Sequence, residues 1–461
     1  MNTERLDSAL RQVQDTEHVI IGARVLDSAA ELFHTSFGDQ PAVIVADETT
    51  FKLAGQTLER RLRDAGRDVL DAHVFPAHPT LHADYEHIER LASALGQQAA
   101  VPIAVGSGTI NDIAKRAAHE CERRYLTVAT APSMDGYTAF GAAITRDGYK
   151  RTMTCPAPRV LLADLTILER APADMTASGY ADLLGKVTAG ADWIIADALE
   201  VEPVDDVSWS IVQEPLRDAT SRPAELAAGE AAAMEALIEG LVLSGLAMQV
   251  AGSSRPASGA EHQFSHLWEM EGLGADPPDG EPPLSHGFKV GLGSAAIAAL
   301  YERLLARDLS SLDIRGAVSA WPSWAQVEQR VRDTHTAPGL GDAAVKECRA
   351  KYVEADALRA RLELLAERWF ELRDRLREQL MPAAQLRAQL RDAGCPVTPD
   401  EIGLSAQRLR ATYRRAQTIR RRYTVLDLAN EAGVLDQCVE ELFAPNGYWA
   451  GELSPSAPDR R

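Results

Sequence analysis

The strongest constraint on the fold is a change of rhythm near residue 165. Up to that point short apolar runs alternate with helical stretches. AVIVAD (42–47), VLDAHVF (69–75), VPIAVG (101–106), YLTVATAP (125–132) and PRVLLADL (158–165) read as strands. His87 to Gln98 and TINDIAKRAAH (109–119) have helical spacing between them. Strands that alternate with helices imply a parallel sheet covered on both faces. ITRDGYKRTM (144–153) breaks the pattern, because its central DG is a turn signal that predicts a hairpin. Beyond Leu165 no convincing strand appears, and 353–380 and 404–423 read as charged amphipathic helices. The expected architecture is an α/β domain over 1–165 and an all-helical domain over 166–450. The tail, 451–461, is expected to be disordered.

Composition narrows the function classes. The chain has 461 residues, 46% of them hydrophobic, enough for a large core in two domains. Its formal net charge of −19 argues against nucleic acid or an anionic membrane as partner. An anionic substrate must therefore be met by a local basic pocket. The five cysteines are scattered, without a CxxC pair, which fits a reducing cytoplasm and no disulfide framework. The N-terminus lacks an apolar signal region. LVLSGLAMQVA (241–251) is too short to span a bilayer and reads as a buried helix, so no membrane insertion is expected.

Several stretches carry chemistry. In VGSGTINDIAK (105–115), a glycine turn follows a strand and opens a helix. Gly106 and Gly108 let backbone approach a ligand, and the free N–H groups of the new helix suit a phosphate. The spacing is not that of GxGxxG, and a plain strand-to-helix turn has the same look. Asp47, at the end of AVIVAD, suits a ribose hydroxyl or a helix N-cap. TAPSMDGYTAFGAAIT (130–145) follows a strand and holds one carboxylate, Asp135, which either meets a ligand or caps a local helix. Asp182, His262 and His286 together would form a carboxylate and two imidazoles with coordination positions left open, as a catalytic metal requires. His262 and His266 are also an i, i+4 pair, but EHQFSH places the glutamate outside that pair, so the HExxH pattern is not met. Any of these histidines can equally be a packing or solvated side chain. The basic run RLRATYRRAQTIRRR (408–422) has arginines on several helix faces and reads as a solvated or internally paired helix.

Taken in order, GSGTINDIAK, TAPSMDGYTAFGAAI, DGYKRT, GYADLLGKVTAGADW, SGAEHQFSHLWEM and HGFKVG resemble the sn-glycerol-1-phosphate dehydrogenases. That family belongs to the iron-containing alcohol dehydrogenase and dehydroquinate synthase-like group. The resemblance covers residues from about 18 to about 440. It implies a nucleotide-binding α/β domain, a helical domain, and a metal in the cleft between them. Asp182, His262 and His286 become the ligands of one divalent metal, zinc or nickel. Gly106, Ser107, Gly108 and Thr109 would take the pyrophosphate of NAD(H) or NADP(H), and Asp47 the ribose. Asp112, Thr130, Ser133 and Lys150 would lie along the cofactor, and Asp135 would face the substrate.

The implied reaction is NAD(P)H-linked, metal-dependent reduction of dihydroxyacetone phosphate to sn-glycerol 1-phosphate. His266 is a candidate proton relay or a packing residue. Arg255, Lys186 and Lys289 are candidates for the substrate phosphate, unless neighbouring carboxylates hold them. A homo-oligomer is expected. The product would feed an ether lipid or a glycerophosphate-containing envelope component. The alternatives are another alcohol dehydrogenase, such as one acting on glycerol, and a lyase like dehydroquinate synthase.

Overall fold

The computed structural model describes residues 3–78, 80–146, 149–275 and 283–451, without the side chains of Thr3, Tyr149 and Lys150. The central part of the Pro/Gly-rich loop, the DG of the hairpin turn and all but the first residue of the expected tail lie outside the described residues.

The strands are β1 (His18–Gly22), β2 (Ala42–Asp47), β3 (His73–Phe75), β4 (Val101–Gly106), β5 (Leu126–Ala129), β6 (Ala142–Arg146), β7 (Tyr149–Met153) and β8 (Val160–Asp164). Six of them form one sheet in the order β1-β8-β5-β4-β2-β3, every neighbouring pair parallel. β6 and β7 form the expected antiparallel hairpin. The helices used below are α1 (Gly108–Glu120), α2 (Ala173–Leu184), α3 (Lys186–Ala198), α4 (Ala231–Ala251), α5 (Ala260–Met270), α6 (His286–Leu305), α7 (Ala355–Gln379), α8 (Ala406–Arg415) and α9 (Val425–Glu431).

Alternation within the buried strands explains the layers. In β2, Ile44 faces a core with Leu58 and Leu62, while Val43 and Val45 face another with Ile110 and Ile113. Both faces are therefore apolar, as a covered parallel sheet requires. The chain passes from β2 outward to β3, then returns to the other side of β2 for β4. That reversal puts a switch point at the carboxyl ends of β2 and β4, where open α/β sheets place ligands. Asp47 and Gly106 are the last residues of these two strands.

The chain divides into two compact units, one comprising residues to Leu183 with Val207–Ser254, the other Leu184–Asp206 with the rest from Arg255. The expected boundary at 165/166 does not describe this division, because α4 belongs with the sheet. Thr138 donates its hydroxyl to the Val242 carbonyl at 2.8 Å, and the Gln249 amide donates to Thr16 Oγ1 at 2.9 Å. Gly179 of α2 has its α-carbon so close to the loop after β5 that an added Cβ would lie 1.8 Å from the Pro132 carbonyl oxygen. Helix α4 has 21 residues, so it is not too short to cross a membrane; its length and composition allow that, but most of it is buried inside the first unit.

The second unit contains no strand among the described residues. α5 and α6 pack closely at Gly293, where a Cβ would meet the Glu261 carbonyl oxygen at 2.8 Å. The basic run forms α8 and a short 3₁₀ turn rather than one helix to 423. It is internally paired: Arg408 and Arg415 both meet Glu271, Arg414 meets Asp436, and Arg421 meets Glu347.

Candidate active site

In the first unit the glycine turn and the loop after β5 are one construction. Gly106 sits where a Cβ would lie 2.5 Å from Ile110 Cβ, so only glycine lets α1 start this close to the strand. Ser107 precedes α1 without capping it through its side chain. Gly108 and Thr109 form the first turn, and at Gly108 a Cβ would touch Met134 at 3.3 Å. Thr130 donates its N–H to the Gly106 carbonyl at 3.2 Å. The Tyr137 hydroxyl bonds Ala131 O at 2.7 Å and Gly106 O at 3.3 Å.

Lys115, which the sequence reading passed over, holds this loop from below. Its buried ammonium donates to the carbonyls of Gly136, Ala139 and Gly141 at 2.9, 3.0 and 3.1 Å. Asn111 adds a bond to Gly136 O at 3.3 Å. The available signal was the spacing of Asn111 and Lys115 on one face of α1. Asp112 turns its Oδ2 to the Ala143 N–H at 3.1 Å, so part of this carboxylate serves the hairpin and not a cofactor.

Asp47 is a helix N-cap: its Oδ1 accepts the N–H groups of Thr49 and Thr50, both at 2.8 Å. A ribose role would have to fall to its other oxygen. The Ser133 carbonyl accepts the Ser178 hydroxyl at 3.2 Å. Asp135 donates its N–H to Asp182 Oδ2 at 3.1 Å, and its carboxylate accepts the Ser244 hydroxyl at 2.9 Å. Asp135 is thus held by two helices and does not cap one. The Lys150 side chain lies outside the described residues.

In the second unit the three histidines meet. Ring centroids are 5.4 Å apart for His262 and His286, 5.6 Å for His266 and His286, and 5.9 Å for His262 and His266. Two glutamates with no role assigned from the sequence, Glu261 beside His262 and Glu269, orient two of them. Glu261 Oε1 is 2.8 Å from His262 Nδ1, and Glu269 Oε1 is 2.8 Å from His286 Nδ1. An ionised carboxylate only accepts, so each ring carries its proton on Nδ1 and its lone pair on Nε2. That is the tautomer in which a carboxylate backs a metal-binding histidine. The donor set therefore fits a divalent cation. Burial pushes the Glu261 pKa up, but its bonds to His262 and the Gly259 N–H outweigh this and leave it lowered. A sequence signal existed for Glu261, which directly precedes His262.

His266 Nδ1 lies 3.4 Å from the other oxygen of Glu269. Burial, aided by Arg420, pushes its pKa down to about 3, against the pull of Glu269. A neutral ring is a poor proton donor, which favours the packing or hydrogen-bonding reading over an acid relay.

The phosphate candidates divide. Arg255 is buried; it bonds the carbonyls of Tyr423 at 3.1 Å and Asp192 at 2.9 Å and pairs with Glu202 at 3.3 Å. Its guanidinium ties segments of the second unit together, so it is withdrawn as a phosphate ligand. Lys289 is nearly buried, with Nζ on the Leu284 carbonyl at 2.9 Å. Lys186, the first residue of α3, is fully buried.

The class of protein comes from comparison of these features with known proteins, which places the chain among the alcohol dehydrogenases. The profile of the iron-containing alcohol dehydrogenases matches residues 20–172. The fold resembles a probable glycerol dehydrogenase from Sinorhizobium meliloti, with a TM-score of 0.58 at 16% identity over 92% of this chain and 98% of that one. The chain is 31% identical over 431 residues to a glycerol-1-phosphate dehydrogenase [NAD(P)+] of Bacillus velezensis, covering 93% of this chain and 95% of that protein. The Bacillus subtilis protein of the same name is 32% identical over 417 residues, 90% and 91% of the two chains. The chain belongs to the glycerol-1-phosphate dehydrogenase family.

Proposed function

We propose that this protein is an NAD(P)-linked oxidoreductase that reduces dihydroxyacetone phosphate to sn-glycerol 1-phosphate, reversibly. The observation that carries the reading is the pair His262 and His286, each backed by a glutamate on Nδ1, in a chain similar over nearly its whole length to proteins of that name. His262 and His286 hold a divalent cation, with Asp182 as the third ligand by motif. Zinc and nickel both suit imidazole and carboxylate donors.

When bound, the cation polarises the substrate carbonyl as a Lewis acid, and the reduced nicotinamide supplies hydride. The protein's own work is orientation. The turn Gly106–Thr109 offers helix N–H groups to the pyrophosphate. Thr130, Ser133 and Lys150 line the cofactor, and Asp47 meets the ribose through the oxygen its cap leaves over, which favours NAD(H) over a 2′-phosphate. Asp135, fixed by Asp182 and Ser244, contacts a substrate hydroxyl. Lys186 and Lys289 supply the positive charge for the substrate phosphate in an acidic protein. The five free thiols fit a reducing compartment, and we place the protein in the cytoplasm.

The test is direct. Metal-free protein, dihydroxyacetone phosphate and NADH are mixed, zinc or nickel is added back, and the reduced cofactor is followed by absorbance. A product that an sn-glycerol-3-phosphate-specific dehydrogenase ignores establishes the reaction and its handedness. Metal-independent behaviour, or turnover of glycerol but not the phosphate ester, overturns the reading.

A further inference from the structure

Asp192 in α3 and Glu261 in α5 are fully buried carboxylates that flank one glycine. A Cβ at Gly259 would lie 2.5 Å from Asp192 Oδ2 and 2.8 Å from Glu261 Oε2. The two carboxylates reach the same backbone turn only because residue 259 has no side chain. Asp192 Oδ2 accepts the Ala260 N–H at 2.7 Å, while its Oδ1 accepts the Tyr301 hydroxyl at 2.6 Å and the Val425 N–H at 2.8 Å. Glu261 Oε1 accepts the Gly259 N–H at 2.6 Å as well as His262 Nδ1–H, and its Oε2 accepts the Thr188 hydroxyl at 2.9 Å.

The opening turn of α5 is therefore clamped twice, once at the backbone of Ala260 and once at the ring of His262. Anchoring a helix start needs no such pair, since Ser, Thr or Asn does it without placing two acids side by side in the interior. The extra element here is that one of the acids reaches an imidazole.

We propose that Asp192 and Glu261 form a two-carboxylate cradle that positions His262, Asp192 fixing the backbone from which the ring projects and Glu261 fixing the ring's orientation and tautomer. The inference rests on the reading of His262 as a metal ligand. Neither acid touches the cation; both are positioning residues. Groups in this relation to a metal-binding histidine change affinity by about 10- to 100-fold when removed.

The test uses the near-isosteric variants Glu261→Gln and Asp192→Asn in the full chain. Each is freed of metal by chelation, and three quantities are measured: zinc affinity by competition, the visible spectrum of the cobalt(II) form, and the thermal unfolding of the metal-free protein. Glu261→Gln is expected to weaken zinc binding about 10- to 100-fold and shift the cobalt spectrum, with no loss of metal-free stability. Asp192→Asn is expected to shift the spectrum in the same sense with a smaller loss of affinity. If Glu261→Gln does not fold, Glu261→Asp, which pulls the carboxylate back from the ring, should weaken zinc comparably. Unchanged affinity and spectrum in the variants, beside a wild type that binds tightly, overturn the cradle and leave the metal reading standing. The same holds if only metal-free stability falls. A wild type without affinity, or one indifferent to His262→Gln, overturns the metal reading itself.

Discussion

The backbone N–H of Asp135 donates to the carboxylate of Asp182 at 3.1 Å, so the loop after β5 and helix α2 are joined at the residue proposed above as third metal ligand. The joint tolerates no bulk one turn earlier. Gly179→Ala would drive a methyl into the Pro132 carbonyl, with 1.8 Å between them. We expect this variant to lose several kcal/mol and to be recovered poorly, whereas Ser178→Ala, which removes one hydrogen bond, should cost about 1 kcal/mol. Thermal unfolding of the pair checks the contrast.

Lys115 makes a second prediction. Lys115→Met removes the ammonium and leaves the Ala139 and Gly141 carbonyls without their lysine donor, while Gly136 keeps only the longer bond from Asn111. Unsatisfied buried acceptors cost about 1–3 kcal/mol each where water cannot replace the partner. A fall in unfolding temperature together with weaker NADH binding is expected; unaltered values for both would show that the loop holds itself.

The two glycines of the turn should separate fold from cofactor. Gly106→Ala places a methyl 2.5 Å from Ile110 Cβ, inside the strand-to-helix junction, and should destabilise the protein. Gly108→Ala meets only the flexible Met134 at 3.3 Å and should leave stability within about 0.5 kcal/mol. Its effect should appear instead in NADH affinity, read by fluorescence titration.

Arg255→Ala tests the withdrawal of that residue from the phosphate site. A buried guanidinium on two carbonyls and a carboxylate is a structural tie. Its removal should cost about 2–6 kcal/mol, because two buried carbonyls each lose a donor at about 1–3 kcal/mol, whereas Glu202 is solvated and adds little. An intact protein with only a raised apparent constant for dihydroxyacetone phosphate would restore the substrate role.

Asp192 should give the metal-free protein a contribution to stability that is lost as pH rises through the weakly acidic range, opposed there by His266, whose lowered pKa contributes the opposite slope. Burial, and the nearby Glu261 charge, raise the Asp192 pKa from 3.8 to about 7, against the donors Tyr301, Val425 and Ala260. Arg255 faces the same residue through its bond to the Asp192 carbonyl. Between those two values the folded chain holds a proton on Asp192 that the unfolded chain has released, so the contribution of Asp192 to stability declines from about pH 4 to about pH 7. Asp192→Asn should remove that contribution and make the slope of stability against pH more positive between about pH 4 and about pH 7; an unchanged slope would show that Asp192 does not supply it.

Much of this was legible in advance, for identifiable reasons. Strands β2, β4, β5 and β8 are continuous apolar runs, the mark of a sheet covered on both faces. β1 was missed because HVIIG is a short edge strand with a histidine at its start. VLDAHVF yielded a strand only over His73–Phe75, since β3 is the other edge of the sheet. The histidines stood out by type and motif. Glu261 and Glu269 did not, because a glutamate beside a histidine on a helix looks like a solvated charge until burial is known. Asp47 showed the reverse case: its residue type serves a cap and a ligand equally, and only the bonds to Thr49 and Thr50 decide what one of its oxygens does.

Helix α4 has a consequence for how the chain is made. The sheet is complete in sequence by Asp164, yet the helix bonded to Thr16 and Thr138 ends only at Ala251. On the ribosome the first unit cannot close until about ninety further residues have emerged, and twenty-three of those, Leu184–Asp206, belong to the other unit. Only at the end of that interval does the 21-residue apolar segment reach the finished sheet, and a nascent chain released early would display the surface that this segment covers.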